Sequence, residues 1–226
     1  MRKIQRLAYI GAMAAATLTL AACGGTAAPA SSPAASAPAA APMTAAPAAA
    51  DTGVTTNADV FGPACSQLPQ GDAPGSLNNM GPQPVATAAS TNPLLSTLVT
   101  AVKAVPGLPD TLNNTQGITV FAPYNGAFDA VQKQIGAPAF QGLLKDTNKL
   151  GGLLSYHVVG QRYDAKGLVA AGQTTELAGG TLTIGGTAEA PTITDGQGNT
   201  AKVLCGNIPT SNATVFVIDR VLMPKG

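Results

Sequence analysis

Thr119-Val120-Phe121-Ala122-Pro123-Tyr124-Asn125-Gly126-Ala127-Phe128 is the stretch on which the fold turns. With Ile118 ahead of it, its first half is a β-branched and aromatic run that reads as a short buried strand. Pro123 ends the run, because a proline has no N–H to give a ladder. Asn125 is then expected to cap a helix whose buried face, at helical spacing, is Phe128, Val131 and Ile135. The unit is strand, turn and helix. It places Val120, Phe121 and Phe128 in the core and leaves Pro123 and Asn125 to set the turn.

Upstream, Asn92 followed by Pro93 reads as a helix start. Leu94, Leu95, Leu98, Val99, Val102 and Val105 share one face before Pro106-Gly107 stops the helix. Downstream, Pro138 opens a helix through Lys145, and Asn148 begins another holding Leu150, Leu153 and Leu154, ahead of a strand-like Tyr156 to Val159. After Gly167 the period changes to two. Thr175–Ala178 and Thr181–Ile184 flank Gly179-Gly180 as a two-residue hairpin, and Thr192–Thr194 and Ala201–Leu204 flank residues 195–199 as a second hairpin. Val215 to Met223 reads as a central strand punctuated by Asp219 and Arg220; Asp219, set in an apolar run, is expected to accept hydrogen bonds. A helical front half and a strand-rich back half give an α+β fold.

Three of these segments together resemble the fasciclin domain. Thr119 to Phe128 resembles its first signature, Tyr156-His157-Val158-Val159 its central Tyr-His segment, and Asn212 through Asp219-Arg220-Val221-Leu222-Met223-Pro224 its second signature. The order and spacing match over residues 82 to 225. The resemblance implies a wedge of two small β-sheets with several helices packed at one edge, and a role in adhesion or matrix contact. It assigns Thr119, Val120, Phe121, Ala122, Pro123, Asn125, Phe128, Asn212, Ile218, Asp219 and Pro224 to the fold signature. Tyr124 departs from the pattern, where a small polar residue is usual. Tyr156 and His157 have two readings. The resemblance makes them candidate partner contacts, while a lone His among apolar residues also suits a hydrogen-bonded core position.

The amino end is a processing signal. Arg2, Lys3 and Arg6 precede an apolar stretch from Leu7 to Leu20 that is too short for a permanent span. Leu20-Ala21-Ala22-Cys23 resembles the bacterial lipobox, in which cleavage falls before a cysteine carrying diacylglycerol on its sulfur. Residues 1–22 are therefore expected to be a lipoprotein signal peptide and Cys23 the lipid anchor. The leader removes three basic residues and no acidic ones, so twelve against eleven becomes nine against eleven and the net charge moves from +1 to −2. Residues 23–60 form an Ala/Pro-rich tether, expected to be disordered. Prolines at 29, 33, 38, 42 and 47 interrupt every Ala helix, and residues 24–50 reach up to about 80 Å when extended. Residues 61–81 are an N-terminal extension carrying Cys65, and residues 82–226 are the fasciclin-like domain. The lipid-anchored resemblance is to fasciclin-domain surface antigen lipoproteins of mycobacteria and other actinobacteria.

Of the three cysteines, Cys65 and Cys205 remain for an oxidising compartment and are expected to pair. The closed loop of about 140 residues corresponds to about 5 kcal/mol in the chain-entropy model. With charged residues at 10%, no basic run and a single His, the composition argues against nucleic-acid binding and against a multi-imidazole metal site. No catalytic motif and no cofactor motif stands in a supporting context. Gly196-Gln197-Gly198-Asn199-Thr200-Ala201 fits a dinucleotide fingerprint but leads into a strand. The expected function is a non-enzymatic, membrane-anchored adhesion or matrix/host-interaction module with a protein or glycan partner. The alternative is a carrier of a small apolar ligand or lipid in the wedge between helices and sheet.

Overall fold

Strand β1 (Ile118–Pro123) lies parallel to β7 (Ala213–Ile218), with Phe121 opposite Phe216 in register. Both strands are buried along their whole length, as parallel strands covered on both faces are. The period of two then sorts their side chains into separate cores. Val120, Ala122, Val215 and Val217 join the cluster under the helices. Phe121, Phe216 and Ile218 join a second cluster with Leu168, Leu182, Ile193 and Leu222. The two Phe rings lie 6.0 Å apart between centroids.

These coordinates come from a computed structural model, which describes residues 53–225. The remaining strands are β2 (Val158–Val159), β3 (Gln173–Thr175), β4 (Thr181–Thr187), β5 (Ala190–Thr194) and β6 (Thr200–Pro209), in the order β2-β1-β7-β6-β5-β4-β3. All neighbours other than β1 and β7 are antiparallel. The ten-residue β6 serves two sheets: Thr200 to Lys202 pair with β5, and Val203 to Pro209 pair with β7 across two register shifts. Such shifts bend a strand. The expected wedge of two small sheets is therefore a single seven-stranded order folded at β6, and its outer edges meet again where Val159 bridges Glu176.

Helices α1 (Leu77–Met80), α2 (Val85–Thr91), α3 (Ser96–Ala104), α4 (Leu108–Asn114), α5 (Asn125–Ile135), α6 (Ala137–Lys145) and α7 (Thr147–Ser155) cover one face; α8 (Ala165–Ala171) packs against β4 on the other. Asn92 starts its helix as expected. Its side chain accepts from Leu94 N–H at 3.0 Å above a 3-10 turn, Pro93–Leu95, that runs into α3. The hairpin at 195–199 also forms, with Thr194 opposite Thr200.

Several expectations are corrected. Asn125 does not cap α5, whose flanking residue is Tyr124 with no side-chain cap; its amide reaches α3 instead. Ile135 is exposed, because α5 ends there against solvent, while Phe128 and Val131 are buried. The first hairpin is not a two-residue turn: Thr175 pairs with Thr181, so five residues connect β3 to β4. Glu176 closes that loop by accepting from Ala178 and Gly180 N–H. Tyr156 and His157 lie ahead of the strand rather than in it.

Residues 53–60, placed in the tether on sequence grounds, are packed against the domain. Thr214 donates to the Gly53 carbonyl at 2.7 Å, Thr55 is buried, and Asn57–Asp59 form a 3-10 turn closed by the Thr56–Asp59 pair. Phe61 follows with a two-way backbone bridge to Gly206. A Cβ at Gly206 would lie 2.4 Å from the Phe61 ring, so glycine there makes the seat for that ring. Cys65 and Cys205 are joined by a disulfide, with Cα atoms 5.0 Å apart. Residues 1–52, including the leader and Cys23, lie outside the described residues. Among the described residues no single helix is long and apolar enough to cross a membrane.

Candidate functional site

Tyr156 closes α7 and His157 follows, so both rings leave the helix end and enter the space between the sheet and the carboxyl-terminal segment. Leu222 N–H donates to His157 Nε2 at 2.9 Å, which puts the ring proton on Nδ1, and Nδ1 donates to the Leu153 carbonyl at 2.7 Å. The imidazole is thereby held neutral. Its complete burial lowers its pKa from 6.5 to about 4. Tyr156 accepts from Gly196 N–H at 2.7 Å, and burial raises its phenol above the ordinary range.

The same carboxyl-terminal segment is held from a second side. Asp195 Oδ1 accepts from Gln197 and Asn199 N–H, and Oδ2 accepts from Met223 N–H at 2.9 Å. Gln197 Nε2 donates to the carbonyl of the exposed Pro224. With exposures of 2% and 3%, Tyr156 and His157 are not available to a partner. Of their two readings, the structure supports the hydrogen-bonded core position and corrects the partner contact, because every polar atom on the two rings already has an internal partner.

The other signature residues are likewise internal. Asn212 is buried; its Oδ1 accepts from Val85 N–H at 2.9 Å, and its Nδ2 donates to the Leu112 and Thr115 carbonyls at 2.7 and 2.6 Å. One amide thus caps the start of α2 and the end of α4. Asn125 does the same for α3, accepting from Thr97 N–H and donating to the Pro93 carbonyl. Thr119 accepts from Tyr163 N–H and donates to the Gln161 carbonyl, both at 2.8 Å. Asp219 accepts from Lys202 N–H at 2.8 Å, as expected. Val120, Phe121, Ala122, Phe128 and Ile218 are core, and Pro123 pairs in register with Ile218. The ring of the unusual Tyr124 occupies the place of a Cβ at Gly126, 2.4 Å away, so the neighbouring glycine accommodates it. Two residues that sequence reasoning passed over act similarly. Asn207, at φ 58°, accepts from Ala165 N–H, and Asn113 accepts from Ala86 N–H at the start of α2. Both are Asn side chains whose partners lie more than 25 residues away, with no local signal.

An apolar cavity lies between α2, α3, α4 and β1, over Leu98, Val102, Leu112, Val120 and Leu154. Its volume is about 60 Å³, well below the roughly 300–1,000 Å³ of pockets that enclose small ligands. Gly196 to Ala201 forms a hairpin turn and the start of β6, with no helix after it, so the dinucleotide fingerprint has no structural counterpart.

A seven-stranded order folded at β6, helices over one edge and an internal set of signature residues define the class of protein. The model of the fasciclin domain matches residues 93–224, and the chain belongs to that family. It is 41% identical over 175 residues to the cell surface glycolipoprotein MPB83 of Mycobacterium bovis, covering 74% of this chain and 73% of that one, and equally to MPT83 of Mycobacterium tuberculosis. It is 37% identical over 177 residues to the immunogenic protein MPB70 of Mycobacterium bovis, covering 74% and 83%. In fold it is similar to the FAS1 domain pair of the insect cell adhesion molecule fasciclin I. That likeness has a TM-score of 0.54 and 19% identity, and spans 62% of this chain and 51% of the pair. The chain is a fasciclin-domain surface antigen of mycobacterial type, located in the cell envelope or outside the cell. Neither the family nor these relatives are enzyme families.

Proposed function

We propose that the chain is a lipid-anchored, non-enzymatic module that makes adhesive or host-interacting contacts from the outer face of the membrane. The lipobox-like Leu20-Ala21-Ala22-Cys23, read beside relatives named as surface glycolipoproteins, carries the reading. Cys23 carries the lipid, the segment after it spaces the domain from the surface, and the domain presents a protein- or glycan-binding face. The internal use of His157, Asp195 and Tyr156 supports the non-enzymatic part, since each is committed to holding backbone.

The test has two parts. Cys23→Ser is expected to move the chain from the membrane pellet to the soluble fraction, and retention in the pellet would remove the anchor. Beads coated with the mature chain are expected to adhere to at least one of a set of matrix proteins, envelope glycans and host cells. Equal adhesion of beads coated with the reduced, unfolded chain would remove the adhesive role.

A further inference from the structure

Residues 159–163 leave β2 and run alongside β3 and the start of β4, at the seam where the two sheet edges meet. Between them is a solvent-open cleft of about 470 Å³, lined by Gln161, Tyr163, Gln173, Thr174, Thr175 and Thr181. The volume lies within the roughly 300–1,000 Å³ typical of ligand sites. Gln161 and Tyr163 make their internal hydrogen bonds through the backbone, which leaves their side-chain polar groups uncommitted. Thr174 is 5% exposed and its hydroxyl has no partner among the described residues. That hydroxyl is closed off from solvent on the inner side of β3, so the polar groups that β3 offers to the cleft are those of the exposed Gln173 and Thr175 on either side of it.

The cleft is also free of charge, and the neighbouring charged residues explain why. Arg162, between two lining residues, turns away to Thr214 Oγ1 and the Thr210 and Ala213 carbonyls at 2.8–3.0 Å. Glu176, next to Thr175, folds back onto its own loop. A phosphate, sulfate or carboxylate would find no cation here. An apolar peptide anchor would find one half-buried ring and no apolar pocket. Amides and hydroxyls that both donate and accept suit a dense array of neutral hydroxyls, and an aromatic ring suits the C–H face of a pyranose.

We infer that this cleft binds an uncharged saccharide. The inference rests on the reading of the chain as an extracellular contact module, and it names the class of partner and the place. It also gives the Tyr-His segment a role at one remove, since buried Tyr156 and His157 fix the start of the strand that leads into Gly160 to Tyr163.

The full mature chain, ¹⁵N-labelled in a non-glycosidic detergent, is titrated with neutral trisaccharides of glucose, mannose, galactose, arabinose and N-acetylglucosamine. A sulfated heparin tetrasaccharide and an uncharged Gly/Ser/Thr decapeptide are run beside them. At least one neutral trisaccharide is expected to shift the amides of residues 160–163 and 173–181 with a Kd of about 1 mM or tighter. Gln161→Ala and Gln173→Ala, both at exposed positions, are expected to weaken it about tenfold each without moving the unfolding midpoint. The site is overturned if no neutral saccharide shifts those amides, if only the sulfated or peptide probe does, or if both substitutions leave affinity unchanged. Bead adhesion separates the two readings. Adhesion that survives the double substitution overturns the cleft and leaves the adhesive role standing. Saccharide binding at the cleft without adhesion to any surface supports the cleft and removes the adhesive role.

Discussion

Leu222 and His157 are joined by a hydrogen bond in which a backbone N–H donates to a buried, neutral imidazole nitrogen at 2.9 Å. Protonation of Nε2 would remove the acceptor and bury a charge. The folded pKa of about 4 lies below the ordinary 6.5, so between these values the unfolded chain binds the proton and the folded chain does not. The contribution to stability is fully present above pH 6.5 and is lost as pH falls through about 4, for a total of roughly 3 kcal/mol. Because His157 is the chain's one histidine, urea midpoints measured from pH 7 to pH 4.5 should fall in wild type. In His157→Gln they should stay flat over that range from a lower starting value.

Asn212 ties α2 to α4 through one side chain, and its truncation leaves buried donors and acceptors with nothing to meet. Asn212→Ala is expected to destabilise the domain by about 2–4 kcal/mol. Urea unfolding followed by circular dichroism would show it, and a loss under about 0.5 kcal/mol, the range of ordinary surface substitutions, would contradict the double-cap role.

The Cys65–Cys205 disulfide fastens the segment before the helices to a fully buried position in β6. Cys65→Ala with Cys205→Ala is expected to cost about 2–5 kcal/mol. Thermal unfolding of wild type with and without a reductant should show the same shift, and the double variant should not respond to reductant.

Thr174 offers a change in the opposite direction. Thr174→Val keeps the shape and removes the unpaired hydroxyl, so the domain should gain about 1 kcal/mol. A loss of stability in urea unfolding would mean that the hydroxyl is paired in solution.

Legibility in the sequence followed the range of the interaction. Asn92-Pro93 and the strand before Pro123 were readable because a cap or a breaker acts on its immediate neighbours. Asn125 sits at the same kind of position, yet its amide serves α3, about 28 residues earlier in the chain, and no local pattern carries that. Ile135 fits the helical period but falls at the last residue of α5, beyond the core's edge. The Tyr-His pair was legible as a motif, whereas its burial depended on Leu222 and Gly196, which fold back from distant segments. The cleft left no mark at all, since it forms from two stretches of Gln and Thr that only the seam between β2 and β3 brings together.

The packing of residues 53–61 against β6 and β7 has a mechanical consequence. A pull arriving from before Gly53 loads the contacts of residues 53–61, among them the Thr214 hydroxyl on the Gly53 carbonyl, the Asn207 amide on the Asp59 carbonyl and the backbone bridge at Phe61. Those contacts can peel one after another. At Cys65 the load passes into a covalent link to β6, the strand shared by both sheets. Tension along the amino-terminal segment can therefore strip about a dozen residues, after which the disulfide acts as a stop that delivers force to the most heavily paired strand.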